Sequence, residues 1–110
     1  MEIPKTFKIG NKKVGGDNPC FIIAEMSGNH NQSYKKAIQI IDAAAEAGVD
    51  AIKLQTFKPE EHTIDCDNDY FQVKVNDAWK GDTLYSLYKK VYTPWEWQPK
   101  LKKYARSKGL

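Results

Sequence analysis

Three side chains stand where the chain otherwise carries hydrocarbon. Glu25 interrupts the run CFIIAEM at residues 20–26, and Lys53 and Gln55 interrupt VDAIKLQTF at residues 49–57. Each run has the length of a strand, and residues two apart on a strand share a face. Phe21, Ile23 and Glu25 then point one way, and Ala51, Lys53 and Gln55 share the face opposite Ile52 and Leu54. If the two strands are neighbours, a carboxylate, an ammonium and a primary amide meet at one level. A compact ammonium with three donors suits an anionic ligand. A carboxylate moves a proton or stabilises developing positive charge, and an amide fixes a hydroxyl or a carboxylate by donating and accepting. We read Glu25 as catalytic and Lys53 and Gln55 as substrate-binding. The alternative is an interior Glu25–Lys53 ion pair, which adds little because desolvation offsets attraction. Three polar groups at one level favour a site over that pair.

The segment Ser27-Gly28-Asn29-His30-Asn31 follows Glu25 directly. Glycine permits a tight turn there, and the amide of Asn29 and the imidazole of His30 are candidates to bind sugar hydroxyls. For His30 a surface-loop or helix-start contact is an equal alternative.

The elements that must position these residues follow from periodicity. Residues 6–14, TFKIGNKKV, alternate weakly and break at Gly10-Asn11, which predicts a short hairpin. Residues 15–19 are a loop. The near-continuous apolar run at residues 20–26 predicts a strand buried on both faces of a parallel sheet. Ser33 is an N-cap. After it, Ala37, Ile38, Ile41, Ala44, Ala45 and Gly48 fall at helical spacing, with Gly48 as the stop. Strand, helix, strand is a βαβ unit with parallel strands. Residues 58–82 form a long polar connection, with a short strand expected at residues 71–75. It leaves the C-terminal end of a strand, where α/β proteins place their chemistry. A short helix is expected over residues 83–91. Thr93-Pro94-Trp95-Glu96 then reads as a helix start with Thr93 as N-cap, Pro99 kinking or restarting that helix and Gly109 ending it.

Two parallel strands with a few helices leave sheet edges unpaired. The 110 residues therefore read as the opening section of a larger α/β domain. Residues 1–19 are its N-terminal hairpin and loop, and residues 20–110 its first two βα units, cut before a third strand. A complete small α/β domain would need the long connection to supply further antiparallel strands.

The net charge of +3 is modest. Lys89, Lys90, Lys100, Lys102, Lys103, Arg106 and Lys108 lie among Tyr88, Tyr92, Trp95, Trp97 and Tyr104, a mixture that could track nucleic acid. A solvated helix face with aromatics packed inward explains it better, so no nucleic acid is expected as a partner. Nothing in the chain has the length of a membrane span or the shape of a signal peptide, so the expectation is a cytoplasmic protein without a membrane partner. Cys20 and Cys66 are too few for a disulfide framework. His62 with Cys66 is a weak pair of metal ligands without a second pair.

FIIAEMSGNHNQS followed by AAAEAGVDAIKLQTF resembles the N-terminal part of the sialic acid synthase (N-acetylneuraminate synthase) family. WKGDTLYSLYKKVYTPWEW and the loop SGNHNQS are similar to its pseudaminic acid synthase branch, and the likeness runs from TFKIG to Gly109. The resemblance implies a (β/α)8 TIM barrel, aldolase-like, that condenses phosphoenolpyruvate with an N-acetylated amino sugar to a nine-carbon 2-keto sugar acid. It implies attack of C3 of phosphoenolpyruvate on the open-chain aldehyde, polarised by a divalent metal (Mn or Mg), then addition of water at C2 and loss of phosphate. Lys53 matches the lysine that contacts phosphoenolpyruvate and Glu25 the glutamate at the sugar and the intermediate. Gln55 matches a motif position. The metal-binding histidines, most other phosphoenolpyruvate contacts and the C-terminal antifreeze-like domain of the homodimeric family have no counterpart in these residues. The chain by itself is therefore expected to be inactive, since a preorganised site needs closure. Rival readings are another phosphoenolpyruvate-condensing barrel, which would lack the NHN loop and YTPWEW, and a non-catalytic interaction piece.

Overall fold

Gly10 sits in the left-handed region at φ 60° and turns the chain back on itself. In the computed structural model, which describes residues 4–74 and 77–110, this turn joins β1 (Phe7–Ile9) to β2 (Lys12–Val14). The pair is antiparallel, with Phe7 opposite Val14 and Ile9 opposite Lys12. The hairpin is tied to the rest of the molecule at one carboxylate. Lys12 Nζ pairs with Asp50 Oδ1, while Asp50 Oδ2 accepts the Ile22 N–H at 2.7 Å. The Lys12 ammonium, and then the Ile22 amide, hold the Asp50 carboxyl below its ordinary range.

The second sheet has two parallel strands, β3 (Ile23–Glu25) and β4 (Ala51–Lys53). Ile23 lies opposite Ala51, Ala24 opposite Ile52 and Glu25 opposite Lys53. Both strands are shorter than the runs at residues 20–26 and 49–57, because a ladder exists only where two chains run side by side. The burial expected on both faces of β3 is not found. Ile23 is 51% exposed on the sheet face that the helices leave open, and Ile22, just before β3 and on the other face, is 54% exposed as well.

On the covered face Met26, Ala37, Ile41, Leu101 and Ala105 form the core, with Ile52 and Leu54 packed against it. Two helices supply it, α1 (Tyr34–Glu46) and, near the chain end, an α-helix over Gln98–Ser107. Helix α1 starts at Ser33, whose hydroxyl accepts the Lys36 N–H at 3.3 Å. It places Ala37, Ile41 and Ala44 inward at helical spacing and stops at Gly48, φ 73°. Tyr104 donates its hydroxyl to Asp42 Oδ1 at 2.7 Å, and Lys108 Nζ lies 3.0 Å from the same oxygen. These contacts join the two helices, and the Tyr104 hydroxyl followed by Lys108 lowers the Asp42 pKa.

Residues 58–82 hold two short 3-10 turns, Pro59–Glu61 and Asp69–Phe71. The strand expected at residues 71–75 is absent among its described residues. Gln72 makes a single antiparallel bridge to Thr83, and Val75 lies outside the described residues. Thr83 then caps α2 (Leu84–Val91) reciprocally with Ser86: Ser86 N–H donates to Thr83 Oγ1 at 3.2 Å and Thr83 N–H to Ser86 Oγ at 3.1 Å.

The second helix start is corrected. Thr93 is no N-cap; it is fully buried, and a 3-10 turn over Trp95–Trp97 begins after Pro94. The helix α3 proper is the Gln98–Ser107 segment, with Pro99 in its first turn, so that proline restarts the helix rather than bending it. A buried hydroxyl needs a partner, and Thr93 finds one in a distant loop rather than in its own helix.

Candidate active site

Glu25 and Lys53 are the last residues of β3 and β4, and the parallel register sets them side by side. Lys53 Nζ is 2.6 Å from Glu25 Oε1. One step further the Met26 N–H donates to Lys53 O at 3.0 Å, which fixes the two strand ends relative to each other. The side chains of Lys53 and Glu25 are 54% and 53% exposed, so the pair faces water in this chain. An exposed pair contributes about 0–1 kcal/mol. Its partners are therefore easily exchanged, and an anion with two or three oxygens can compete with Glu25 for the ammonium.

Gln55 lies two residues beyond Lys53. Its carbonyl accepts the Thr93 N–H at 2.7 Å, and Gln55 lines with Lys53 an open groove of about 450 Å³. The structure thus joins Glu25 to Lys53 by an ion pair and Lys53 to Gln55 by a shared groove.

Asn29 and His30 are placed differently. Asn29 closes its own turn, with Nδ2 donating to Met26 O at 3.0 Å. His30 is fully buried, edge-on to Trp97 at 5.4 Å between ring centroids. Its Nδ1 accepts the Gln32 N–H at 3.1 Å, and its Nε2 lies 3.3 Å from Thr93 Oγ1. Nδ1 must be bare to accept, so Nε2 carries the hydrogen and donates to Thr93. The expectation that His30 meets sugar hydroxyls is corrected here: the ring is enclosed and both nitrogens are taken.

Sequence reasoning missed what His30 belongs to. The loop at residues 27–32 is braced on the segment after α2. Gln32 Nε2 donates to Lys90 O at 3.1 Å and Tyr92 O at 2.7 Å. A Cβ on Gly28 would stand 2.5 Å from Val91 Cβ. Ser27, Asn31 and Gln32 take positive φ of 50°, 47° and 56°. The density of Ser, Asn and Gly was the available signal, because such residues tolerate that region best.

Burial lowers the His30 pKa from 6.5. The unfolded chain then binds the extra proton more readily, so His30 contributes stability that is complete above pH 6.5 and is lost as pH falls through the lower folded value. A proton on Nδ1 would also face the Gln32 N–H. Amide exchange of residues 27–32 is expected to rise between pH 7 and pH 5 while that of the α1 interior, corrected for intrinsic rate, does not. Equal change in both segments would contradict this.

Lys89 Nζ lies over the Tyr85 ring at 4.4 Å and Lys108 over Tyr104 at 5.2 Å. Trp97 packs inward against Tyr34 and His30. Among the described residues no three His, Cys, Asp or Glu side chains gather to hold a metal ion, and no helix is long and apolar enough to cross a membrane. Cys20 and Cys66 are free thiols.

The NeuB family matches residues 40–110. The chain is 40% identical over 103 residues to the pseudaminic acid synthase of Campylobacter jejuni, covering 94% of this chain and 29% of that protein. It is 33% identical over 106 residues to the N,N'-diacetyllegionaminic acid synthase of Legionella pneumophila, covering 91% and 30%. The crystal structure of N-acetylneuraminic acid synthetase from Leptospira borgpetersenii superposes with a TM-score of 0.73 at 30% identity, covering 96% of this chain and 32% of that one. The chain thus spans under a third of the length of these relatives.

Proposed function

Because the chain belongs to the NeuB family, we propose that it forms the first two βα units of a (β/α)8 barrel synthase that joins phosphoenolpyruvate to an N-acetylated amino sugar. The product is a nine-carbon 2-keto sugar acid of the pseudaminic or sialic type. Residues 1–19 are the hairpin that precedes the barrel and residues 20–110 carry the two units. The observation that carries the reading is the Glu25–Lys53 pair, 2.6 Å apart on the sheet face that the helices leave free.

In this mechanism Lys53 releases Glu25 and binds the anionic groups of phosphoenolpyruvate. C3 of the enol attacks the sugar aldehyde, forming the carbon–carbon bond and leaving positive charge at C2. Glu25, freed at that level, stabilises this charge; water adds at C2, a proton of that water passing to the alkoxide formed from the aldehyde, and the C2–O bond to phosphate then breaks as the new C2 hydroxyl loses its proton to become the ketone. Gln55 donates to a substrate oxygen from the groove wall. The described residues offer no ligand set for the divalent metal, Mn or Mg, that the family resemblance implies, and no step here runs through it. The working enzyme is a cytoplasmic homodimer acting on these two small molecules.

The test is a graft. Residues 1–110 replace the matching part of the Campylobacter jejuni pseudaminic acid synthase, and phosphate release from phosphoenolpyruvate is followed with an N-acetylated amino sugar present. Sugar-dependent release is expected. A folded graft that releases none with any such sugar would defeat the proposal, as would robust release by the 110-residue chain alone for the claim that two units do not suffice.

A further inference from the structure

The ladder between β3 and β4 ends at the Glu25–Lys53 pair. Gln55 lies past that end, and among the described residues no strand pairs with it. A backbone that has left its ladder keeps a fixed direction only where something else takes its hydrogen bonds. At Gln55 that partner is Thr93, whose N–H donates to Gln55 O at 2.7 Å. Beyond it, Thr56 Oγ1 accepts from Gln98 Nε2.

Thr93 is held in turn from the side of β3. It is fully buried, and its hydroxyl accepts from His30 Nε2 at 3.3 Å. His30 stands on the loop that leaves β3, and that loop turns tightly. Asn29 N–H donates to Met26 O at 3.2 Å and Ser33 N–H to His30 O at 2.8 Å. The hydrogen bonds therefore close a circuit. It runs from Met26 through the loop to His30, across to Thr93, on to Gln55 O, and back along β4 to Lys53 O, which accepts the Met26 N–H at 3.0 Å. Glu25 and Lys53 sit at one point of this circuit and Gln55 at another. An apolar pair of the same shape would hold the two segments together about as well as His30 and Thr93 do. What the hydrogen bond adds is direction, because it weakens steeply away from its preferred distance and angle.

We infer that His30 and Thr93 are positioning residues: through the Thr93 N–H they fix where Gln55 stands relative to Glu25 and Lys53, without contacting substrate. This deepens the reading of Gln55 as a substrate-binding residue of the proposed synthase and rests on that reading. It also gives the histidine of the loop a role in the site that does not need an exposed ring.

The first arm of the test uses the 110-residue chain. Thr93→Val keeps the shape and the backbone N–H and removes the acceptor of His30. The NMR coupling across the hydrogen bond from the residue-93 nitrogen to the Gln55 carbonyl carbon is expected in the unsubstituted chain and in Thr93→Ser. In Thr93→Val it should fall by about half or more. Should Thr93→Val not fold, the same comparison is made between His30→Gln, whose amide still donates, and His30→Met, which cannot. The second arm uses the enzyme into which residues 1–110 are grafted. Thr93→Val should lower kcat/KM about fivefold, the worth of one ordinary hydrogen bond, and Thr93→Ser should restore it. With Gln55→Ala already present, Thr93→Val should lower it no further, because both changes act through one side chain. A coupling unchanged in Thr93→Val, or a fall in kcat/KM just as large with Gln55→Ala present, overturns the inference. Loss of the coupling beside a graft that releases no phosphate supports the brace and counts against the synthase reading. An active graft with the coupling unchanged does the reverse.

Discussion

Replacing Gly28 with alanine is expected to destabilise the protein by about 1–3 kcal/mol, the usual cost of overpacking a closed contact. The added Cβ would lie 2.5 Å from Val91 Cβ and 3.1 Å from Val91 Cα, so backbone as well as side chain must give way. Gly28 is not among the residues at positive φ, so the effect is steric and not conformational. Displacing Val91 strains its neighbours, because Tyr92 O accepts from Gln32 and the Thr93 N–H donates to Gln55 O. One methyl thereby loosens both the loop after β3 and the end of β4. The measurement is a double-mutant cycle in urea. Val91→Gly, which removes both the Cβ at 2.5 Å and the Cγ1 at 2.9 Å, should restore part of the stability lost in Gly28→Ala, with an interaction energy of about 0.5–3 kcal/mol. Simple additivity would show that the two residues do not press on each other.

What was legible in the sequence was whatever local pattern controls. Helix α1 was readable because Ser33, the spacing of Ala37, Ile41 and Ala44, and Gly48 all agree. The alternation in AIKLQ placed Lys53 on the face away from Ile52 and Leu54, and β3 placed Glu25 to match, so the central pair was visible before any coordinates. Strand ends were not, because pairing partners set them. Thr93 and His30 were misread for one shared reason. Thr93-Pro94 has the local form of a helix cap, and His30 in a polar loop has the local form of a ligand-binding residue. Each instead satisfies the other across 63 residues of chain. No window of sequence contains that contact. The meeting of Phe57 and His62 with Tyr88 was not legible either, since it brings α2 against the 3-10 turn at Pro59 across some 26 residues of chain.

Lys53 as a ligand for an anion and Lys53 as a brace for the sheet predict opposite outcomes for Lys53→Ala. As an exposed partner of Glu25 it contributes about 0–1 kcal/mol to stability. As the cation that holds phosphoenolpyruvate it makes charge-assisted hydrogen bonds worth about 1.5–3 kcal/mol, up to roughly a hundredfold in rate. Lys53→Arg should recover little, because a planar fork on a longer stem does not reproduce a compact ammonium. The deciding measurement is kcat/KM for phosphoenolpyruvate in the grafted enzyme. A fall of about ten- to a hundredfold in Lys53→Ala, with the urea midpoint of the 110-residue chain scarcely moved, is the predicted result. An unchanged kcat/KM, with the midpoint lowered instead, would make Glu25 and Lys53 a structural pair and leave the proposed chemistry without its cation.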